Sequence, residues 1–384
     1  MNTRTRASID GPPLPSSAWS LLAAIIMFAA IAPSILMTAP AVAAQLASQW
    51  QLSPSQIGDL FSVELGAMSL ASLPAFWWLK RVSWRIAAFA GAMLFIAANL
   101  LSTLADTYNL LLALRFVSAL AGGSLMIICL ASAATTANPG RVYGLWVMGQ
   151  LVVGALGLAL LPALFEHYGL SACYLILAGL MALLLPFTRC FAAGKPIPRE
   201  TGAVNLPGSR MKTLFGILGI LTFYISLGGV WTFIGAIGAQ AGISAQHSGE
   251  ILAFASVMGI AGAGCASWLS ARLVLLPVGY GLMAVAVLLL LGEPGLWRFA
   301  LAAFVFKFTW TFVLPLILAC LARLDHNGKL MNASNLMIGT GLAIGPAVAG
   351  RLIETNGGFT AVLIGAAVII SLSLALMHSS RVQA

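Results

Sequence analysis

Residues 53–81 read SPSQIGDLFSVELGAMSLASLPAFWWLKR, and residues 244–272 read SAQHSGEILAFASVMGIAGAGCASWLSAR. Laid over one another at a constant offset of 191, Ser53, Gly58, Asp59 and Arg81 fall on Ser244, Gly249, Glu250 and Arg272. A second register, at an offset of 188, pairs Gly140, Arg141, Gly157, Glu166 and Gly169 with Gly328, Lys329, Gly345, Glu354 and Gly357. The two offsets agree within 191 − 188 = 3 residues. That agreement implies one unit present twice. Each quoted stretch is also a mostly apolar run of the length that a helix needs to cross hydrocarbon, about 20 residues.

Composition extends this reading to the whole chain. Hydrophobic residues make up 60% and charged residues 8% of 384 positions, with a mean hydropathy of +1.00. Soluble domains carry roughly 25% charged residues. Too little polar surface remains here to cover a water-facing globule, whereas lipid accepts apolar side chains on the outside. Cutting the chain at charged and turn-rich points gives twelve spans, near 18–46, 55–79, 86–104, 110–133, 142–165, 170–188, 213–236, 247–269, 273–291, 296–322, 330–353 and 358–377. The first apolar run, Ala18 to Ala44, exceeds the roughly 7–15 residues of a signal-peptide core, so it is read as a retained span interrupted by Pro33 and Pro40. The five cysteines, Cys129, Cys173, Cys190, Cys265 and Cys320, have no metal-ligand spacing and read as small packing residues. No metal or other cofactor is expected.

Charge sets the orientation. With twelve spans and a cytoplasmic N-terminus, fifteen of the nineteen Lys and Arg residues fall on the cytoplasmic side. Arg298 and Arg351 fall outside, and Arg115 and Lys307 within spans. Asp106, Glu166, Glu293 and Glu354 fall outside as well. A different span count would scramble that asymmetry, so both termini are expected in the cytoplasm of a bacterial-type inner or plasma membrane. The net charge of +9 is spread over short loops rather than gathered on one face, which argues against nucleic acid as a partner. The longest polar segment, RCFAAGKPIPRETGAVNLPGSRMK at 189–212, reads as a flexible cytoplasmic linker. It separates a six-helix bundle at 1–188 from a second at 213–384. The expected fold class is therefore an all-α membrane protein, with 12 transmembrane helices in two pseudo-symmetric bundles.

Ionisable residues at bilayer depth cost a few kcal/mol each, so each needs a reason. Glu64 lies about nine residues into span two, roughly 14 Å deep at 1.5 Å per residue. It reads as a proton or substrate site, or as the partner of a basic residue. Arg115 lies about five residues into span four, entering from the same side, so the two could meet. Lys307 lies near the middle of span ten among Phe304, Phe306, Phe308, Trp310 and Phe312. Three- and four-residue spacing puts Phe304, Lys307, Phe308 and Thr311 on one face. A buried cation beside aromatic rings suits an organic anion or amphiphilic carboxylate; the alternative is a structural pairing. Asp59 and Glu250 sit in first helical turns, where the helix dipole favours negative charge. Gly149, Gly154, Gly157, Gly341 and Gly345 read as close-packing positions.

Three stretches, Ile338–Glu354, Arg115 with Ala121-Gly122-Gly123, and Leu79–Arg85, carry a resemblance to the major facilitator superfamily, which extends over essentially the whole chain. Span eleven, Ile338-Gly339-Thr340-Gly341-Leu342-Ala343-Ile344-Gly345-Pro346 through Gly350 and Ile353-Glu354, is similar to that family's span eleven. Arg115 followed by Ala121-Gly122-Gly123 is similar to its arginine-then-glycine motif. Leu79-Lys80-Arg81-Val82-Ser83-Trp84-Arg85 resembles its basic loop, with Lys80 in place of an acidic residue and Ser83 in place of glycine. The resemblance implies alternating access around a site between the halves, with Arg81, Arg85, Asp59 and Glu250 as gating or loop-motif residues. It implies a role for Arg115 in proton transfer or in holding a charged solute, and places span ten beside the central cavity. The Gly-Pro pair that drug exporters of the family carry mid-span five is absent, the proline coming only at Pro162. The expected function is secondary active transport of a small organic solute, anionic or amphiphilic, with proton coupling, by a monomer in a lipid bilayer. The alternatives are a drug or metabolite efflux antiporter driven by protons and, from other classes, a membrane-embedded sensor or enzyme.

Overall fold

The computed structural model describes residues 16–193, 210–269, 272–324 and 329–380, and no strand occurs among them. Most of the expected linker, residues 194–209, lies outside the described residues, as do Arg4, Arg6, Lys195, Arg199 and Arg381 from the charge count.

The first apolar run forms α1 (Ser16–Ile31) and α2 (Ser34–Trp50). The break follows from Pro33, which has no N–H to give the carbonyl of Ala29. Gln150 supplies that donor instead, its Nε2 lying 3.0 Å from the Ala29 oxygen. Next come α3 (Pro54–Leu70) and α4 (Ser72–Trp78). Ser53 and Gln56 cap α3 reciprocally, and Pro54 occupies its first turn, where a missing N–H is harmless. Span two is thus two helices jointed at Ala71, not the single helix expected. The N-terminal half continues through α5 (Trp84–Ser102), α6 (Tyr108–Ala134), α7 (Pro139–Tyr168) and α8 (Ser171–Leu184). The C-terminal half holds α9 (Arg210–Gln240), α10 (Ala245–Trp268), α11 (Leu276–Leu288), α12 (Leu296–Ala322), α13 (Lys329–Asn356) and α14 (Thr360–Ser380).

Ten segments among the described residues are long and apolar enough to cross a membrane. The jointed pair α3–α4 and the shorter helix at 273–288 are compatible with two further crossings. Large apolar side chains point outward along many of these helices, as lipid contact allows. Trp77 and Trp268, related by the offset of 191, are 63% and 83% exposed at equivalent helix ends. Such positions suit the amphipathic indole at a membrane interface.

The duplication is visible in the backbone. Ser53 and Ser244 both cap the helices they precede. Gly169 and Gly357 both take a positive φ after α7 and α13, at 61° and 67°. The halves meet along α3 with α13, α7 with α10, and α2 with α9. Gly58 presses on the Pro346 carbonyl and Gly249 on the Leu158 carbonyl, where a Cβ would collide with backbone. The contact of α3 with α13 runs from Ser53 and Glu354 at one end to Ser69 and Gly339. Of residues 223–238 in α9, only Ile225 and Ala236 are not buried, whereas its first thirteen residues bury only Gly216, Gly219 and Ile220. The axis of the molecule is therefore sealed toward the Ser53–Glu354 end and looser toward the other.

Candidate functional site

Two buried cations organise the interior, one in each half. Arg115 on α6 is 1% exposed and Glu64 on α3 is 4% exposed. Their Nη1 and Oε1 atoms lie 3.5 Å apart. The Arg115 Nη2 donates to Asn99 Oδ1 at 3.0 Å and to Ser102 Oγ at 2.9 Å, both from α5. Asn99 is held in turn by donating to Ser118 Oγ and to the Phe95 carbonyl. The guanidinium lies over the Tyr174 ring of α8, 4.3 Å from its centroid. Three further helices thus converge on the guanidinium of α6, compensating its charge through both Nη atoms, while its buried Nε has no hydrogen-bond partner among the described residues. The sequence expectation that Glu64 and Arg115 approach one another matches this geometry. Asn99, Ser102 and Tyr174 escape sequence reading, because nothing in their local pattern distinguishes them from ordinary polar residues in a span.

Lys307 on α12 is 2% exposed. Among the described residues only two ion pairs form, and Lys307 belongs to neither. Its Nζ lies 3.9 Å from the centroid of Trp231 on α9 and 4.3 Å from that of Trp310, one turn along its own helix. The two indoles meet edge to face at 6.0 Å. Ring faces carry negative potential, so they hold the ammonium without a carboxylate. Its stem runs past Gly259 of α10, where a Cβ would sit 3.3 Å from Lys307 Cγ.

The expected face-mates of Lys307 serve a different contact. Thr311 Oγ1 donates to the Gly259 carbonyl at 2.6 Å, and Gly262 packs on the Phe308 carbonyl. The Phe308 ring stacks on Phe312 at 5.8 Å. Both residues thus pack α12 against α10. Phe304 lies in a shallow apolar groove with Ile251 and Trp297. Trp231 is the residue that the sequence left unmarked.

At the sealed end, Asp59 accepts from Arg351 of α13 at 2.7 and 3.3 Å. Glu354 accepts from Ser53 Oγ and from the Ser55 backbone N–H, each at 3.1 Å. Asp59 therefore does more than meet a helix dipole: it ties the halves together. Among the described residues Glu250, its counterpart, accepts only from Gln246 of its own helix, at 2.8 Å. In the basic loop, the Arg81 guanidinium lies over the Trp77 ring, 4.5 Å from its centroid. Arg85 donates its backbone N–H to the Ala192 carbonyl at 3.2 Å.

These features define a polytopic helical protein of the membrane-spanning kind, each of its halves holding a buried cation. The chain matches the Major Facilitator Superfamily family model over residues 21–326, and it belongs to that family of transporters. Among solved structures it is similar to a mutant of the nucleoside transporter NupG, at a TM-score of 0.74 and 13% identity, covering 95% of this chain and 100% of that one. It is also similar to a bacterial homologue of the human lysosomal transporter Spinster, inward-facing and unoccupied, at a TM-score of 0.72 and 14% identity, covering 97% of this chain and 100% of that one. The occupied form of that homologue gives a TM-score of 0.71 at 15% identity, covering 96% and 97%. At these identities the likeness speaks for the fold.

Proposed function

We propose that this chain is a proton-coupled secondary carrier for a small organic anion, with Lys307 as the anchor for the anionic group. One observation carries the reading: an ammonium is buried between two indole faces, with no carboxylate in ion-pair distance among the described residues. Uncompensated charge at depth is costly and has a functional reason as its default explanation. An arriving carboxylate would supply the missing counter-charge, while Trp231 and Trp310 receive an apolar body. A cationic solute would meet like charge there, which argues against cationic cargo in either direction of transport. Glu64, tied to Arg115, is the proposed proton-coupling group, since protonation would release the arginine from its partner.

In this reading the bundles 1–188 and 213–384 rock about the central charges, joined by the linker 189–212. With both termini cytoplasmic, the end sealed by Asp59, Arg351 and Glu354 faces outward and the described state opens inward. The test is transport by the purified protein in liposomes, across a panel of monocarboxylates with aromatic or aliphatic bodies. Lys307→Ala is expected to abolish transport of whichever anion the wild type carries, and Glu64→Gln to uncouple it from a pH gradient. Anion transport that survives Lys307→Ala would overturn the anchor, and unchanged gradient-driven uptake by Glu64→Gln would overturn the coupling.

A further inference from the structure

Prolines leave carbonyls without donors, and this chain answers two of them with side chains from elsewhere. Pro33 frees the carbonyl of Ala29, which Gln150 satisfies from α7 within the same half. Pro40, inside α2, frees the carbonyl of Leu36. No water is available in hydrocarbon to take that place. The donor is the Trp231 Nε1–H, at 2.8 Å, and it comes from α9 in the other half. One turn further along, Gly235 of α9 packs against the Pro40 carbonyl. The contact between α2 and α9 is thus built around one proline.

The same indole has two roles at once. Its edge holds the opposite half, and its face receives the Lys307 ammonium at 3.9 Å. A cation over the ring draws electron density from it, and polarised donors make stronger hydrogen bonds. We infer that Trp231 is the positioning residue that couples the charge at Lys307 to the closure of α2 against α9. The ammonium on the ring strengthens the bond to Leu36. A counter-charge that neutralises the ammonium or draws it off the ring weakens that bond and frees the sealed end to part. The functional meaning of this coupling rests on Lys307 anchoring a solute, but the latch itself can be tested with no solute present.

The measurement is the distance distribution between spin labels at Ser48 and Gln240, exposed positions at the sealed ends of α2 and α9, with the native cysteines replaced. Trp231→Phe keeps an aromatic face for Lys307 and removes the N–H. It is expected to raise the separated population about fivefold, the change that one lost hydrogen bond produces. Pro40→Ala restores an N–H within α2 for the Leu36 carbonyl. Added to Trp231→Phe, it is expected to return the distribution toward wild type, a rescue that a merely structural tryptophan would not show. Lys307→Met in the wild-type background is expected to raise the separated population by a smaller factor, and to add nothing in the Trp231→Phe background. Wild-type distances in Trp231→Phe, or no rescue by Pro40→Ala, overturn the latch. Equal effects of Lys307→Met in both backgrounds overturn the coupling. A carrier that transports anions without Lys307 but still shows the rescue would separate failure of the solute reading from failure of this one.

Discussion

Arg115 and Lys307 are both cations buried within apolar helices long enough to span a membrane, yet they are treated in opposite ways. Arg115 has a carboxylate, an amide, a hydroxyl and a ring. Lys307 has two rings and no anion among the described residues. The difference separates a charge that the fold compensates internally from one that it leaves without a counter-ion among the described residues. A guanidinium held on several sides stiffens the contact of α3, α5, α6 and α8. An ammonium on indole faces sits in a place that an anion could complete.

The largest effect should come from breaking the compensated site on one side only. Arg115→Leu leaves Glu64 buried without a counter-charge and strips Asn99 and Ser102 of their donor. Orphaned buried charges cost about 3–5 kcal/mol, so a large fall in the thermal midpoint of the purified protein is expected. Replacing both partners, Glu64→Leu with Arg115→Leu, should recover most of that loss, because apolar substitutes for a buried pair are often neutral. If the double variant is as unstable as the single one, the pair is not what stabilises this region.

Lys307→Met should do the reverse. It orphans no acid and removes a charge that lacks a partner, so the thermal midpoint should hold or rise by an amount worth about 1 kcal/mol or less. Transport should be lost. A variant that transports normally, or one that unfolds like Arg115→Leu, would erase the contrast between the two cations.

Much of this was legible in the sequence, and the missing part has a physical pattern. Apolar runs located the spans, because hydrocarbon thickness acts on local sequence. The meeting of Glu64 with Arg115 followed from depth alone. The joint at Ala71 was not legible, since 53–81 is apolar through it. Trp310 lies three residues from Lys307 and was seen among its aromatic neighbours, but Trp231 lies on another helix and only the packing of α9 on α12 unites them. Pro40 announces that Leu36 needs a donor without saying which. The bond between Asp59 and Arg351 joins residues 292 apart, and the repeat that relates Asp59 to Glu250 predicts symmetry where the structure breaks it.

That broken symmetry separates the two seams between the halves and carries the smallest prediction. Both seams keep their glycine, Gly58 on one and Gly249 on the other. The seam of α3 with α13 also has Asp59–Arg351 and the Glu354 cap. In the seam of α7 with α10, the position equivalent to Arg351 is 351 − 188 = 163, an alanine. Beside it lies a cavity of about 450 Å³ lined by Gln45, Gln49, Glu166 and Ser248, and the buried Ser248 Oγ has no hydrogen-bond partner among the described residues. The first seam therefore should hold longer than the second when the sealed end opens. Asp59→Ala should weaken it, and Ala163→Arg, opposite Glu250, should give the second seam the tie it lacks. Exposed pairs are worth about 0–1 kcal/mol, so each change should move the thermal midpoint only slightly, in opposite directions. Spin labels across each seam would show the larger consequence. In the wild type the seam of α7 with α10 separates more often, and in Ala163→Arg with Asp59→Ala the order reverses. Equal separation of both seams in the wild type would mean that backbone contact at the glycines, not charge, sets how the halves part.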